Sequence, residues 1–143
     1  MTATSHMPLN IPTLDLNRLP IGTRVRRWPR TGFGVAHDFI LGPNGWSFEN
    51  AGPGSGVRMW PTADILANGG PVEVIDWPLS SQESRQRMAS AAARLGHPWL
   101  WEYNCQDYAH EVVAGVPKSF QREAVHAVIL GIGVLFLISS GQE

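Results

Sequence analysis

The sequence predicts a single α+β domain, in which a small antiparallel β-sheet carries helices packed on one face. Between residues 21 and 76, short apolar stretches alternate with Gly and Pro clusters, a pattern typical of antiparallel strands and turns. After residue 80 the pattern changes to longer stretches of helix-forming residues with capping signals. A chain of 143 residues is long enough for one domain with a core. Strands first and helices afterwards favour helices segregated to one face of the sheet.

The first twenty residues differ from the rest. The stretch "MTATSHMPLNIPTLDLNRLP" is rich in Thr, Pro and Asn and has no hydrophobic period. We expect residues 1–20 to form a flexible N-terminal tail and residues 21–138 to form the domain.

Five strands are predicted from the short apolar stretches "TRVRRW", "VAHDFIL", "GWSFEN", "VRMW" and "PVEVID". "GPNG" at residues 42–45 separates the second stretch from the third, and its Asn-Gly pair suits a two-residue turn. We therefore expect these two strands to form a hairpin.

Three helices should follow the strands. The first spans residues 80–96, because Ser80 precedes Glu83 by the spacing of a capping box and Gly96 ends the helical pattern. The second should begin at Asn104, a good N-cap, and end near Gly115. The third is predicted over residues 120–138.

The third helix contains the run "AVILGIGVLFLI", residues 127–138, which has no polar side chain. As a helix this run is about 18 Å long, against about 30 Å for the apolar core of a bilayer. It is therefore too short to predict a transmembrane helix. Three environments remain open for it: the protein core, a partner protein, or the shallow region of a membrane surface.

Charge and composition exclude some functions. There are 11 basic and 12 acidic residues, without a basic run that could follow a phosphate backbone, so no nucleic acid partner is expected. The sequence contains one cysteine and opens without a classical signal peptide, which favours a cytoplasmic or peripherally membrane-associated protein. The His, Asp and Glu residues lack metal-ligand spacing, so we expect neither a metal nor another cofactor.

Cys105 lies in "NCQDYAHEVVAG", residues 104–115, directly after the predicted N-cap Asn104. Unpaired backbone N–H groups and the helix dipole at this position favour a thiolate. The N–H groups at Asn104 and Cys105 could also bind the oxyanion of a tetrahedral intermediate. The alternative is an inert buried thiol, since free cysteine is among the most buried residue types.

His37 is the histidine best placed to act as the base for Cys105. It lies in an otherwise apolar strand, where a buried imidazole needs a polar partner. The predicted hairpin brings Glu49 near it, and this carboxylate could orient the ring. Asn50 is the alternative orienting residue, because one residue of strand register decides which side chain faces His37. A satisfied core histidine without a catalytic role also remains open.

The "NCQDY" stretch resembles the "NCEHF" motif of the lecithin:retinol acyltransferase-like family, circularly permuted relatives of the papain and NlpC/P60 thiol enzymes. The resemblance implies a permuted papain-like fold in which a strand histidine, here His37, precedes a cysteine nucleophile, here Cys105. Glu49 stands where that family usually has a second histidine, and Asp38 stands where acyltransferase members often have Trp. Some members also carry an apolar C-terminal segment.

These observations lead to three functional hypotheses. The first is a thiol-dependent enzyme that acts on lipid esters, as a phospholipase A-type hydrolase or an acyltransferase, through a thioester on Cys105. The second is a cysteine peptidase or amidase, such as an isopeptidase, and a bacterial toxin or effector domain would fit this architecture. The third is a non-catalytic interaction module that docks through residues 127–138. Trp99, Trp101 and Tyr108 are the candidates for lining a substrate pocket, although Trp99 and Trp101 could be ordinary core or rim residues.

Overall fold

The computed structural model describes residues 15–31, 34–67 and 69–140. These residues form an α+β fold with one five-stranded antiparallel sheet and four α-helices. The strands are β1 (Arg24–Arg27), β2 (His37–Leu41), β3 (Trp46–Asn50), β4 (Val57–Pro61) and β5 (Val72–Asp76). All five coincide with the predicted apolar stretches.

The sheet has the order β4-β3-β2-β1-β5, with every neighbouring pair antiparallel. The predicted hairpin of β2 and β3 is confirmed. Asn44 and Gly45 have φ angles of 56° and 76° at its turn, which is the left-handed region that a two-residue hairpin turn requires. β2 is the middle strand of the sheet, and its side chains pack into core clusters on both faces.

The helices are α1 (Thr62–Ala67), α2 (Ser81–Ala93), α3 (Cys105–Ala114) and α4 (Phe120–Ser140). Two of them, α2 and α3, begin where the capping signals predict, and α4 begins at residue 120 as expected. The Ser80 hydroxyl accepts the backbone N–H of Glu83 at the start of α2, and Gly115 ends α3 in the left-handed conformation with φ 77°. The short α1 is an addition, since a six-residue helix gives too little sequence for a hydrophobic period to appear.

The core lies on both faces of the sheet. One cluster packs α2 and α3 against β2, β3 and β4 and comprises Ile40, Phe48, Val57, Ala91, Tyr108, Ala109 and Val112. The other lies on the opposite face and comprises Val25, Phe39, Leu41 and Ile65 of α1. The prediction of helices on one face is therefore incomplete. Phe39 and Leu41 alternate with Ile40 along β2, so both faces of this strand present apolar side chains.

Part of the predicted tail belongs to the fold. Leu16–Arg18 forms a single 3-10 turn, and Leu16 and Leu19 pack against the cluster that contains Phe39. The boundary predicted at residue 20 is thus too late in the chain. Residues 1–14 lie outside the described residues.

The first half of α4 extends from the domain with its side chains exposed. Every residue from 123 to 130 is exposed, and Val128, Ile129 and Leu130 are 61%, 60% and 70% accessible. This part of α4 is therefore not a core helix, which was one of the three environments left open. Across the ranges that the structure describes, no helix has both the length and the apolar character to span a bilayer.

Candidate functional site

Cys105 is the first residue of α3, and local hydrogen bonds fix the start of this helix. The Asn104 side-chain oxygen accepts the backbone N–H groups of Gln106 at 2.9 Å and Asp107 at 3.3 Å. In return, the Asp107 carboxylate accepts the backbone N–H of Asn104 at 3.2 Å, which completes a capping box. Asn104 and Asp107 thus place the thiol at the positive end of the helix dipole.

The backbone donors of this first turn are not equally available. Asn104 occupies the N–H groups of Gln106 and Asp107, and its own amide Nδ2 donates to Ser119 Oγ at 3.2 Å. Among the described residues, the N–H of Cys105 has no acceptor. Of the two residues predicted to bind an oxyanion, Cys105 therefore has a donor to offer, whereas both the backbone and side-chain donors of Asn104 are engaged.

The structure brings Cys105 close to His37. Helix α3 packs against β2, and the two residues are the first of α3 and of β2. Cys105 Sγ lies 3.9 Å from the carbonyl oxygen of Ala36, the residue before His37, and the interaction with the thiol raises the pKa of His37. His37 Nε2 lies 2.7 Å from Glu49 Oε2, so Nδ1 is the ring nitrogen left for the sulfur. Cys105 is 7% exposed and the His37 side chain is 15% exposed.

Glu49, and not Asn50, contacts His37, and the strand register explains why. Phe39 pairs with Glu49 across β2 and β3, so His37, two residues before Phe39, lies on the same face as Glu49. Asn50 points to the opposite face, where its side-chain amide donates to the carbonyl of Tyr103 at 2.8 Å. Asn50 is therefore a structural residue beside α3.

The electrostatics of the pair favour a charged imidazole. Burial lowers the pKa of His37, but its contacts with Cys105 and Glu49 outweigh burial and raise the pKa from 6.5 to about 9. Burial raises the pKa of Glu49, whereas His37 and then Arg58 outweigh it and bring that pKa below 4.5. At neutral pH the two residues thus form an imidazolium–carboxylate pair with the thiol next to it.

Arg58 is a member of this cluster that the sequence does not reveal. Its Nε and Nη2 atoms both lie 2.8 Å from Glu49 Oε1, the oxygen that His37 does not use. The guanidinium also lies 4.2 Å from the centre of the Trp60 ring. The signal that could have identified Arg58 is the Gly-rich loop between β3 and β4, since a hairpin there places Arg58 opposite Glu49.

Asp38 forms a second charged cluster, on the face of the sheet opposite to His37. Its carboxylate is fully buried and accepts Arg24 Nε at 2.9 Å and Arg26 Nε at 2.7 Å. The hydrogen bond with Asp38 is the main cause of the raised pKa of Arg26, and Glu73 and then Cys105 add smaller electrostatic contributions.

The start of α4 is joined to the start of α3. Ser119 Oγ accepts the Asn104 amide and donates to Gln106 Oε1 at 3.1 Å, and Arg122 Nη1 lies 2.6 Å from Asp107 Oδ2. Ser119, Gln106 and Asp107 are all at most 1% exposed. Helix α4, exposed over residues 123–130, therefore begins at the capping network of Cys105.

The three candidate pocket residues lie in different environments. Tyr108 is fully buried, and its hydroxyl donates to the Ala91 carbonyl between α3 and α2. Tyr108 shares its helix face with the packed residues Ala109 and Val112 and is therefore a core residue. The expectation that it lines a substrate pocket does not fit this position. Trp99 is half-buried, whereas Trp101 is 49% exposed, four residues before Cys105.

Within the part of the chain that the structure describes, no three His, Cys, Asp or Glu residues are grouped so that they could hold a metal ion.

Searches of protein-family models, curated proteins and solved structures found no match to this chain. The function proposed for it therefore depends on the geometry of Cys105, His37 and Glu49.

Proposed function

We propose that this protein is a thiol-dependent acyl-transfer enzyme with Cys105 as nucleophile, His37 as general acid and base, and Glu49 as the residue that orients His37. One observation carries the proposal. A cysteine at a helix N-terminus, with its sulfur 3.9 Å from the Ala36 carbonyl, lies beside a histidine whose Nε2 is 2.7 Å from a buried carboxylate. A nucleophile, a base and an orienting group connected in this order form the set that thiol enzymes need.

The reaction follows from the charges of this set. The imidazolium of His37 stabilises a thiolate on Cys105, which attacks the carbonyl carbon of an ester. The Cys105 N–H donates to the resulting oxyanion, and His37 Nδ1 gives its proton to the leaving alcohol. The thioester is then resolved by water or by an acceptor amine or alcohol.

Lipid esters are the substrate class that we propose, because three chain segments that border Cys105 or its capping network carry exposed apolar side chains. Val35 precedes Ala36, the residue that contacts Sγ, and is 72% exposed. Trp101, four residues before Cys105, is 49% exposed, and Phe120, next to Ser119, is 52% exposed. An acyl chain would cover such a surface, and α4 would hold the enzyme at a membrane surface.

We further propose that the fold is a permuted papain-like arrangement of the lecithin:retinol acyltransferase-like type. The order of a strand histidine, a polar residue on the next strand and a cysteine at a helix start supports this proposal. The five-stranded antiparallel sheet with α3 packed on β2 and β3 is compatible with it.

The test measures fatty acid release from phosphatidylcholine vesicles by the wild-type protein and by Cys105→Ser. We expect release by the wild type, its loss in the variant, and a hydroxylamine-sensitive acyl adduct on Cys105 detected by mass spectrometry. His110→Ala is a matched control, because His110 lies on the same helix and contacts the Val116 carbonyl instead of the site. Equal release by wild type and Cys105→Ser would overturn the proposal.

The same preparations should be assayed with acylated peptides and isopeptide-linked substrates. Turnover of these substrates, without fatty acid release from vesicles, would favour a cysteine peptidase or amidase over a lipid enzyme. A Cys105 thiol that reacts with neither substrate class nor iodoacetamide in the folded protein would favour a non-catalytic interaction module.

A further inference from the structure

Glu49 is shared between two cations, and this division has a chemical consequence. Oε2 contacts His37 at 2.7 Å and Oε1 contacts Arg58 Nε at 2.8 Å, so the carboxylate bridges an imidazole and a guanidinium. Trp60 lies under the guanidinium, which holds Arg58 over the face of the sheet. The Glu49 side chain is 4% exposed, so water gives it little of the screening that a surface carboxylate would have.

The other charged groups around His37 are directed elsewhere. On β1, its cross-strand neighbour Arg27 donates to the backbone carbonyl of Ile65. On its own strand, Asp38 faces the opposite side of the sheet, where Arg24 and Arg26 bind it. On α3, the Asp107 carboxylate is bound by Arg122. Among the described residues, the ionisable groups that act directly on His37 are thus Cys105 and Glu49, and Arg58 acts on it through Glu49.

We propose that Arg58 is a positioning residue, which shares the charge of Glu49 and thereby allows His37 to act as a base when the thioester is hydrolysed. This inference rests on the proposed function and deepens it. It assigns different charge requirements to the two halves of the reaction.

The two halves need opposite protonation states of His37. Attack on the ester uses a thiolate beside an imidazolium. In the acyl-enzyme the sulfur carries no charge, and His37 must be neutral to accept a proton from water at Nδ1. The water oxygen then bonds to the carbonyl carbon, the C–S bond breaks, its electron pair returns to the sulfur, and the carboxylic acid leaves. Without Arg58 bound to it, the Glu49 carboxylate would keep the imidazole protonated during this second half.

The first test needs no catalysis. His37 is titrated by NMR in two proteins, Cys105→Ala and Cys105→Ala with Arg58→Met. The Cys105→Ala background has no thiolate beside His37, as in the acyl-enzyme, where the sulfur carries no charge. We expect Arg58→Met to raise the pKa of His37 by about 1 unit, the lower end of the effect of a nearby charge, because Arg58 is partly exposed. Arg58→Lys should restore most of the original value.

Arg85→Met is the matched control, since it removes the same charge from an exposed position on α2. It should leave the titration of His37 unchanged. An unchanged or lowered pKa of His37 in Arg58→Met would overturn the inference, as would an equal rise in Arg85→Met.

The second test follows the decay of the acyl-enzyme with pH. We expect the rate of hydrolysis in Arg58→Met to reach its plateau about 1 pH unit higher than in the wild type, with acyl-enzyme accumulating near neutral pH. Superimposable profiles would overturn the inference. If neither protein forms an acyl-enzyme, the proposed function fails, and the NMR titration alone decides the role of Arg58.

Discussion

Replacing Glu49 by Gln should make the stability of the protein depend less on pH. His37 has a folded-state pKa raised from 6.5 to about 9, so its protonated form is favoured by folding. This stabilisation is complete below pH 6.5 and is lost as the pH rises through about 9. The full shift corresponds to about 3 kcal/mol, because one pKa unit is about 1.4 kcal/mol.

Cys105 and Glu49 share this effect, and Cys105 contributes the larger part, so we assign about 1 kcal/mol to Glu49. The quantity that tests the prediction is the free energy of unfolding of the wild type minus that of Glu49→Gln at each pH. The contributions of distant titrating groups are the same in both proteins and cancel in this difference. Urea unfolding followed by tryptophan fluorescence at a series of pH values between 6 and 10 measures it. The difference should be largest at pH 6 and shrink by about 1 kcal/mol by pH 10. A difference that is constant with pH would refute the assignment of the raised pKa to the Glu49 contact.

Three further predictions concern the surroundings of the site. Asp38→Asn should lower the free energy of unfolding by about 3–5 kcal/mol, because two buried arginines lose their shared carboxylate; a loss below 1 kcal/mol in urea unfolding would contradict this. Asn104→Ala should cost about 1 kcal/mol by the same measurement and slow the alkylation of Cys105, since α3 loses its N-cap; unchanged alkylation would argue against a role of the helix start. Val128→Asp should weaken cosedimentation with phospholipid vesicles and change the stability by less than about 0.5 kcal/mol, because Val128 is exposed; unchanged cosedimentation would contradict membrane docking through α4.

The parts of the fold that depend on local chemistry could be predicted from the sequence. Asn104 marks the start of α3 because its short side chain caps free N–H groups two and three residues away, which is a relation within one turn. The Asn-Gly pair at residues 44–45 fixes the β2–β3 hairpin in the same way. These two local signals place His37 and Glu49 on one hairpin and Cys105 at a helix start, whereas the packing of α3 on β2 that joins them is a long-range relation.

The parts that depend on register and on distant pairing could not be predicted. Glu49 and Asn50 are adjacent, and a shift of one residue exchanges their faces, so the choice between them needed the observed pairing of Phe39 with Glu49. Arg58 lies on a third strand, beyond a loop whose conformation the sequence leaves open. The exposure of residues 123–130 of α4 also could not be predicted from the apolar composition of this helix, since such a run suits a core as well as a surface.

The most direct test of the central claim compares the alkylation of Cys105 by iodoacetamide at pH 6 in the wild type and in His37→Ala. An ordinary thiol is almost entirely protonated at this pH and reacts slowly. We predict that Cys105 of the wild type reacts roughly tenfold faster than Cys105 of His37→Ala, because the imidazolium stabilises the thiolate. Equal rates in two folded proteins would contradict the claim that His37 activates Cys105.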